Sequence, residues 1–150
     1  FDQLYKQEPE DRLYPEDRIL TETKVLADKF GVSHLIDFHP FNAQVHSEII
    51  SDAMYANSSD YEGMSNAMLE AMAIGMPVIC TDCPIGGANA VIKSGENGIL
   101  TPVGDANAIC KAMIKIADDK DFSDKLSHNA AKIRFELSLE NTAKKWMELL

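Results

Sequence analysis

At 150 residues, with a net charge of −10 at neutral pH, the chain has the size of one ordinary domain with room for a real core. Its acidity excludes nucleic acid or an anionic membrane surface as a partner of this stretch, since both require a basic face. No apolar run approaches the roughly 18 residues of a membrane-spanning helix, and the start shows no signal-peptide pattern. It begins with Phe1 inside a charged segment, so we expect a piece of a larger protein.

In chain order, residues 16–30 predict a helix with Ile19, Val25, Leu26 and Phe30 apolar and Gly31 as its stop. Leu35 to Phe41 predicts a strand, and Val45 to Ser51 a short helix. Ala53 to Asn57 reads as a short buried strand, followed by the polar turn Ser58, Ser59, Asp60. A helix follows Gly63, with Ser65 or Asn66 as N-cap, and stops at Gly75; Pro77 then opens a strand to Thr81. Gly86 and Gly87 make a turn, Ala88 to Lys93 a short helical piece, and 98–101 a strand. Asp105 caps a helix from Ala106 to about Ala117, on which Ile109, Met113 and Ile116 give the helical period. Helices over 121–135 and 139–150 follow, the last capped by Ser138, with Trp146 and Leu149 packed on the domain and Lys144 and Lys145 solvated. Strands alternating with helices imply a parallel sheet with right-handed crossovers, an α/β fold.

Three cysteines are present. Cys80 and Cys83 have a C-x-x-C spacing, but no second pair exists to complete four zinc ligands, and Cys80 lies in the apolar run Val78-Ile79-Cys80. We read it as core filling, Cys110 as helix packing, and free thiols as suited to a reducing cytoplasm. His34, His46 and His128 read as surface residues.

The chemistry concentrates in Glu62 to Glu70 (EGMSNAMLE), which sets two carboxylates eight positions apart. Glu70 stands among Met68, Leu69, Ala71, Met72 and Ala73, where a desolvated carboxylate needs a partner. A hydroxyl-rich ligand such as a ribose or hexose could supply it; a solvated helix face would equally explain the residue. Glu62 stands where a helix N-terminus meets the carboxyl edge of the sheet, a place that binds anions. It either compensates the helix dipole or serves a neutral hydroxyl beside an anion.

This stretch resembles the E-x7-E motif of retaining glycosyltransferases of the GT-B type, often called family 4. The likeness extends through Ser58 to Asn66, Leu69 to Ala73, Gly75 to Ile79, Thr81 to Pro84, Gly86-Gly87, Asn97 to Leu100, Pro102 and Gly104-Asp105. It covers roughly residues 25–150. The resemblance implies a Rossmann-like parallel sheet flanked by helices, the nucleotide-sugar-binding C-terminal half of a two-domain enzyme, incomplete at its N-terminal edge. It implies that Glu70 binds the ribose diol of the donor, that Glu62 contacts hydroxyls of the transferred sugar as the catalytic carboxylate, and that the backbone of Gly63, Met64, Ser65 and Asn66 approaches sugar and diphosphate. His39, Pro40 and Phe41 are candidates to lie near the base, with an ordinary strand end as the other reading of His39. No metal and no cofactor beyond the UDP- or GDP-sugar is expected. The acceptor, a glycan or lipid-linked species, would be held by an N-terminal domain, placing the enzyme in the cytoplasm or peripherally at the membrane's inner face. This stretch alone should be inactive.

Three departures from the family stand out. The Arg and Lys with which relatives grip the diphosphate belong to a segment ahead of this one. Asp11 to Asp17 lacks the usual glycine-rich turn, and Ala88, Asn89 and Ala90 replace a Pro, a basic residue and a Glu. Two rival readings are a non-catalytic flavodoxin-like binding or signalling module, for which Asp82 is a single strand-end acid, and a sugar-nucleotide epimerase of GT-B shape.

Overall fold

A computed structural model describes residues 15–40, 42, 45–50 and 53–149, the chain dividing after residue 43 into two compact units. In the first, α1 spans Pro15–Lys29 and a 3-10 turn Ser33–Leu35 follows, with the Lys24 ammonium 5.3 Å from the centre of the Phe38 ring. The strand expected over Leu35 to Phe41 is not seen: residues 36–40 pair with no strand among the described residues. Their apolar pattern supplies extended backbone, as at Ile36, but a strand also needs a neighbour, and the pattern does not name one. The glycine-free segment 11–14, Phe41 and Leu150 lie outside the described residues.

In the second unit the elements are α2 (His46–Ile49), β1 (Tyr55–Asn57), α3 (Asn66–Ala73), β2 (Val78–Thr81), α4 (Gly87–Val91), β3 (Ile99–Thr101), α5 (Ala106–Asp118), α6 (Lys120–Ala130), α7 (Ile133–Glu136) and α8 (Leu139–Met147). The strands form a parallel sheet in the order β1-β2-β3, with Ala56 opposite Ile79 and Cys80 opposite Leu100. All four residues of β2 are buried, as both faces of a parallel sheet demand. β1 takes one edge of the described sheet, which is why its residues are only partly buried or exposed and Ala53 before it is exposed, against the expected buried strand. One face packs Met68, Ala71 and Met72 of α3 with Ala130 and Ile133; the other packs Ile79 with Ala112, Ile116 and Leu126.

Local chemistry sets the helix ends. Ser65 caps α3 by accepting from the Met68 N–H at 3.3 Å, and Gly75, at φ 82, takes the left-handed turn that releases the chain to β2. Asp105, Asp119 and Ser138 cap α5, α6 and α8 in the same way. The helix expected over 121–135 breaks at Ala131-Lys132, where Lys132, Arg134 and Phe135 donate to carbonyls three residues back and tighten the chain.

Several side chains differ from expectation. On α5 the buried stripe runs through Ala112 and Ile116, leaving Met113 and Cys110 exposed, so Cys110 is not packing. α8 lies against α7, and Trp146 and Leu149 are 66% and 79% exposed instead of packed on the domain. Among the described residues no helix is long and apolar enough to cross a membrane. Leu126 is fully buried between α6, α5 and β2, so Leu126→Ala should lower the unfolding free energy by about 2–5 kcal/mol in a denaturant titration.

Candidate functional site

The carboxyl ends of β1 and β2 and the start of α3 meet around a small cavity of about 10 Å³, room for about one water. Asn57, Ser59, Glu62, Gly63, Ser65, Met68, Cys80, Thr81, Cys83 and Ala88 line it. The turn after β1 is built by Asn57, whose Oδ1 accepts from the Ser59 N–H at 2.9 Å and the Ser59 hydroxyl at 2.7 Å. That hydroxyl has one proton, so its 3.4 Å approach to Glu62 Oε2 is at most a weak second contact. The half-buried Glu62 carboxylate therefore keeps acceptor capacity at the mouth of the cavity. β2 fixes the same turn from the other side: Thr81 Oγ1 donates to the Ser59 carbonyl at 2.5 Å, and Cys83 Sγ lies 3.9 Å from the Glu62 carbonyl.

The N-terminus of α3 opens at this edge. Leu69 is the first residue whose N–H reaches back four positions, to Ser65 at 3.1 Å, so the amides of Asn66 and Ala67 precede the intrahelical ladder. Such a helix start favours an anion. Among the described residues no lysine or arginine lines the cavity, so the donors that the lining supplies are neutral, backbone amides with the Asn57 amide and hydroxyl groups. Tyr55 stands beside the cap; burial pushes its hydroxyl above the usual range while a hydrogen bond with Ser65 pulls the other way.

Of the residues singled out in the sequence, the structure gathers Glu62, Gly63 and Ser65 in the cavity wall, with Met64 and Asn66 exposed beside them. Glu70 does not line the cavity. It is exposed one turn further along α3, about 6 Å in helical rise from Asn66, and lines a separate groove of about 250 Å³ with Leu69, Ala73, Ile133, Arg134 and Leu137. His39 and Pro40 are exposed in the first unit, and Phe41 lies outside the described residues. The sequence reading missed Asn57, Ser59 and Thr81 as parts of the site. Their signal was position: polar residues at or just past the carboxyl ends of strands, where open α/β sheets bind ligands.

Cys80 and Cys83 are both buried. Desolvation, and then the neighbouring Cys83, push the Cys80 thiol up to about 12, so it stays protonated as core filling. Among the described residues no cluster of three or more His, Cys, Asp or Glu could hold a metal ion.

Residues 20–133 match the glycosyl transferases group 1 family. The chain belongs to that family. It is 30% identical over 128 residues to the D-inositol 3-phosphate glycosyltransferase of Corynebacterium urealyticum, covering 83% of this chain and 29% of that protein. It is 28% identical over 102 residues to the lipopolysaccharide core biosynthesis glycosyltransferase LpsE of Rhizobium meliloti, covering 68% of this chain and 29% of that one. The chain thus spans about a third or less of the length of these relatives. In fold it matches Anabaena HepE in complex with UDP and glucose at a TM-score of 0.82, with 21% identity, over 91% of this chain and 37% of that one. The C-terminal domain of the Francisella tularensis group 1 protein LpcC matches at 0.70, with 22% identity, over 83% of this chain and 65% of that one. The expected fold, that of a GT-B glycosyltransferase C-terminal domain, is the one found. Family membership and the GT-B fold stand against the flavodoxin-like reading.

The raised thiol gives a pH test. Protonated Cys80 is favoured in the folded state, so its contribution is complete below pH 9.0, where the unfolded thiol ionises, and is lost as pH climbs toward about 12. The thermal midpoint should decline across that window, and the decline should be shallower in Cys80→Ala.

Proposed function

We propose that this chain is the nucleotide-sugar-binding part of a retaining glycosyltransferase that moves a hexose from a UDP- or GDP-sugar to a glycan or lipid-linked acceptor. The observation that carries the reading is the cavity at the sheet's carboxyl edge, where a half-buried carboxylate with acceptor capacity sits beside the start of α3. Those two features suit two parts of one ligand. The helix start and the amides of Gly63 to Ala67 suit a diphosphate, which leaves with growing negative charge during glycosyl transfer. Glu62 suits the hydroxyls of the neutral sugar next to it, which gains oxocarbenium character in the transition state. Glu70, one turn along the helix, suits a ribose diol, about the span by which a nucleoside trails its diphosphate.

Support also comes from relatives. HepE of Anabaena has been solved with UDP and with UDP-glucose, and LpsE is a lipopolysaccharide core enzyme. The cavity admits a single water-sized group, so a nucleotide-sugar would lie across its mouth and draw its remaining contacts from elsewhere in the protein. In this reading the diphosphate's charge is met by dipoles and by basic side chains outside the lining, without a metal. The enzyme works in the cytoplasm, with its acceptor at the inner membrane face.

In the full-length protein, a panel of sugar nucleotides should raise the thermal midpoint for one base and not others, the stabilisation being about 2.7 kcal/mol at a hundredfold excess over Kd. Glu70→Ala should weaken nucleoside monophosphate binding, and Glu62→Ala should reduce turnover instead, each by about ten- to a hundredfold, the worth of a hydrogen bond to a charged group. Both variants behaving like the parent would remove this site assignment. Residues 1–150 alone should show no glycosyl transfer in a radiolabelled-donor assay; turnover near the full-length rate would contradict the two-part reading.

A further inference from the structure

Behind the cavity, the β2–α4 connection passes so close to the Glu62–Met64 loop that their backbones touch. A Cβ built on Gly87 would fall 1.9 Å from the Gly63 carbonyl oxygen and 2.8 Å from the Met64 nitrogen, and both of those atoms are backbone, which cannot swing aside. Gly87 is buried. The loop is held at two further points, by Thr81 Oγ1 at the end of β2, which donates to the Ser59 carbonyl, and by Cys83 Sγ of the connection, near the Glu62 carbonyl. The connection itself is bent tightly. Ile85 has φ 78 and Gly86 φ 71, and Ile85 is the one non-glycine residue with positive φ among those described. A β-branched side chain there is a backbone outlier, which persists only where its surroundings over-determine it. Ile85 is 69% exposed, so side-chain burial does not account for it.

We infer that Cys83 to Gly87 is a rigid backstop for the donor loop, with Gly87 as the positioning residue that sets where the Glu62 carboxylate and the Gly63 and Met64 peptides meet the sugar. This rests on the proposed function. The ligand end it governs is the sugar, not the nucleoside: the backstop touches residues 62–64, whereas Glu70 lies further along α3 and outside the cavity. Gly87 lies outside the cavity lining and acts through the loop. Substrate specificity toward the hexose is therefore set partly by the turn that fixes the loop.

The test uses the full-length protein with UDP-glucose and UMP, and with GDP-mannose and GMP, in calorimetric titrations of the parent and Gly87→Ala. For the pair that the parent binds, Gly87→Ala should lose about tenfold or more in affinity for the sugar nucleotide, since displacements near 1 Å are felt strongly, while the monophosphate affinity stays unchanged. Equal weakening of both ligands would show a merely structural glycine and overturn the inference, as would no change in either. Should Gly87→Ala not fold, Ile85→Gly decides. It removes the strained side chain, so the thermal midpoint should rise while sugar-nucleotide affinity falls against an unchanged monophosphate; a raised midpoint with both affinities intact would overturn the backstop. A parent protein that binds none of the four ligands would instead refute the proposed function beneath it.

Discussion

The structure around the site depends on β2. Its four residues are buried, it pairs in parallel with β1 on one side and β3 on the other, and both core clusters close over it. Parallel pairing aligns the carboxyl ends of the strands, so Asn57 and Thr81 emerge at one edge, and Thr81 can tie the loop after β1 through the Ser59 carbonyl. The apolar run Val78-Ile79-Cys80 places the edge, and the edge places the loop. A change that shifted β2 by one residue would exchange the faces of its side chains and carry Thr81 away from Ser59.

The loop from Ser58 to Ser65 is consequently not free backbone, although it has no regular structure. Asn57 folds its start, Thr81 and Cys83 hold its middle, Gly87 presses on Gly63, and Ser65 hands the chain to α3 through its cap. Such fixing matters for any site that works through dipoles. An amide aimed at developing charge contributes most when it need not reorient, and polar groups in a fixed frame keep their direction as the charge moves. The side chains that fix this loop are small and neutral, which leaves Glu62 as the charged group in the cavity lining.

How much of this was legible beforehand follows from what kind of information each feature carries. The α3 unit was readable because its signals are local: Ser65 as cap, an apolar run, Gly75 as stop, Pro77 before a strand. Asp105 and Ser138 announced α5 and α8 for the same reason. Failures arose where the deciding fact was tertiary. Leu35 to Phe41 has the composition of a strand, but strand formation is settled by a partner. On α5, period alone could not choose between the stripe through Met113 and the one through Ala112 that faces Ile79 and Leu126. Trp146 looked like core because large aromatic residues usually are; α8 meets α7 and leaves it out. In the site, Glu62 and its neighbours were legible through motif spacing. The roles of Asn57 and Thr81 required knowing that two strand ends lie side by side, and Gly87's role required knowing which backbone it touches.

An acidic chain offering its edge to an anion poses an electrostatic question. With a net charge of −10 the mean field of the chain repels a diphosphate, and among the described residues no cation in the cavity lining offsets it. Distance resolves the conflict. Exposed charges more than about 10 Å away are largely screened at physiological salt, whereas amides at a helix start act within contact distance and are little screened. Among the described residues Glu62 is the one acid in the cavity lining, and its cost is acceptable only if its lone pairs face hydroxyls while the anion lies toward the helix start. A free diphosphate gains nothing from that division, but an anion joined to a polyhydroxylated ring gains from both halves. Under the proposed function, the arrangement would favour the intact sugar nucleotide over the bare nucleotide, the discrimination that a donor site needs before transfer and must relinquish after it.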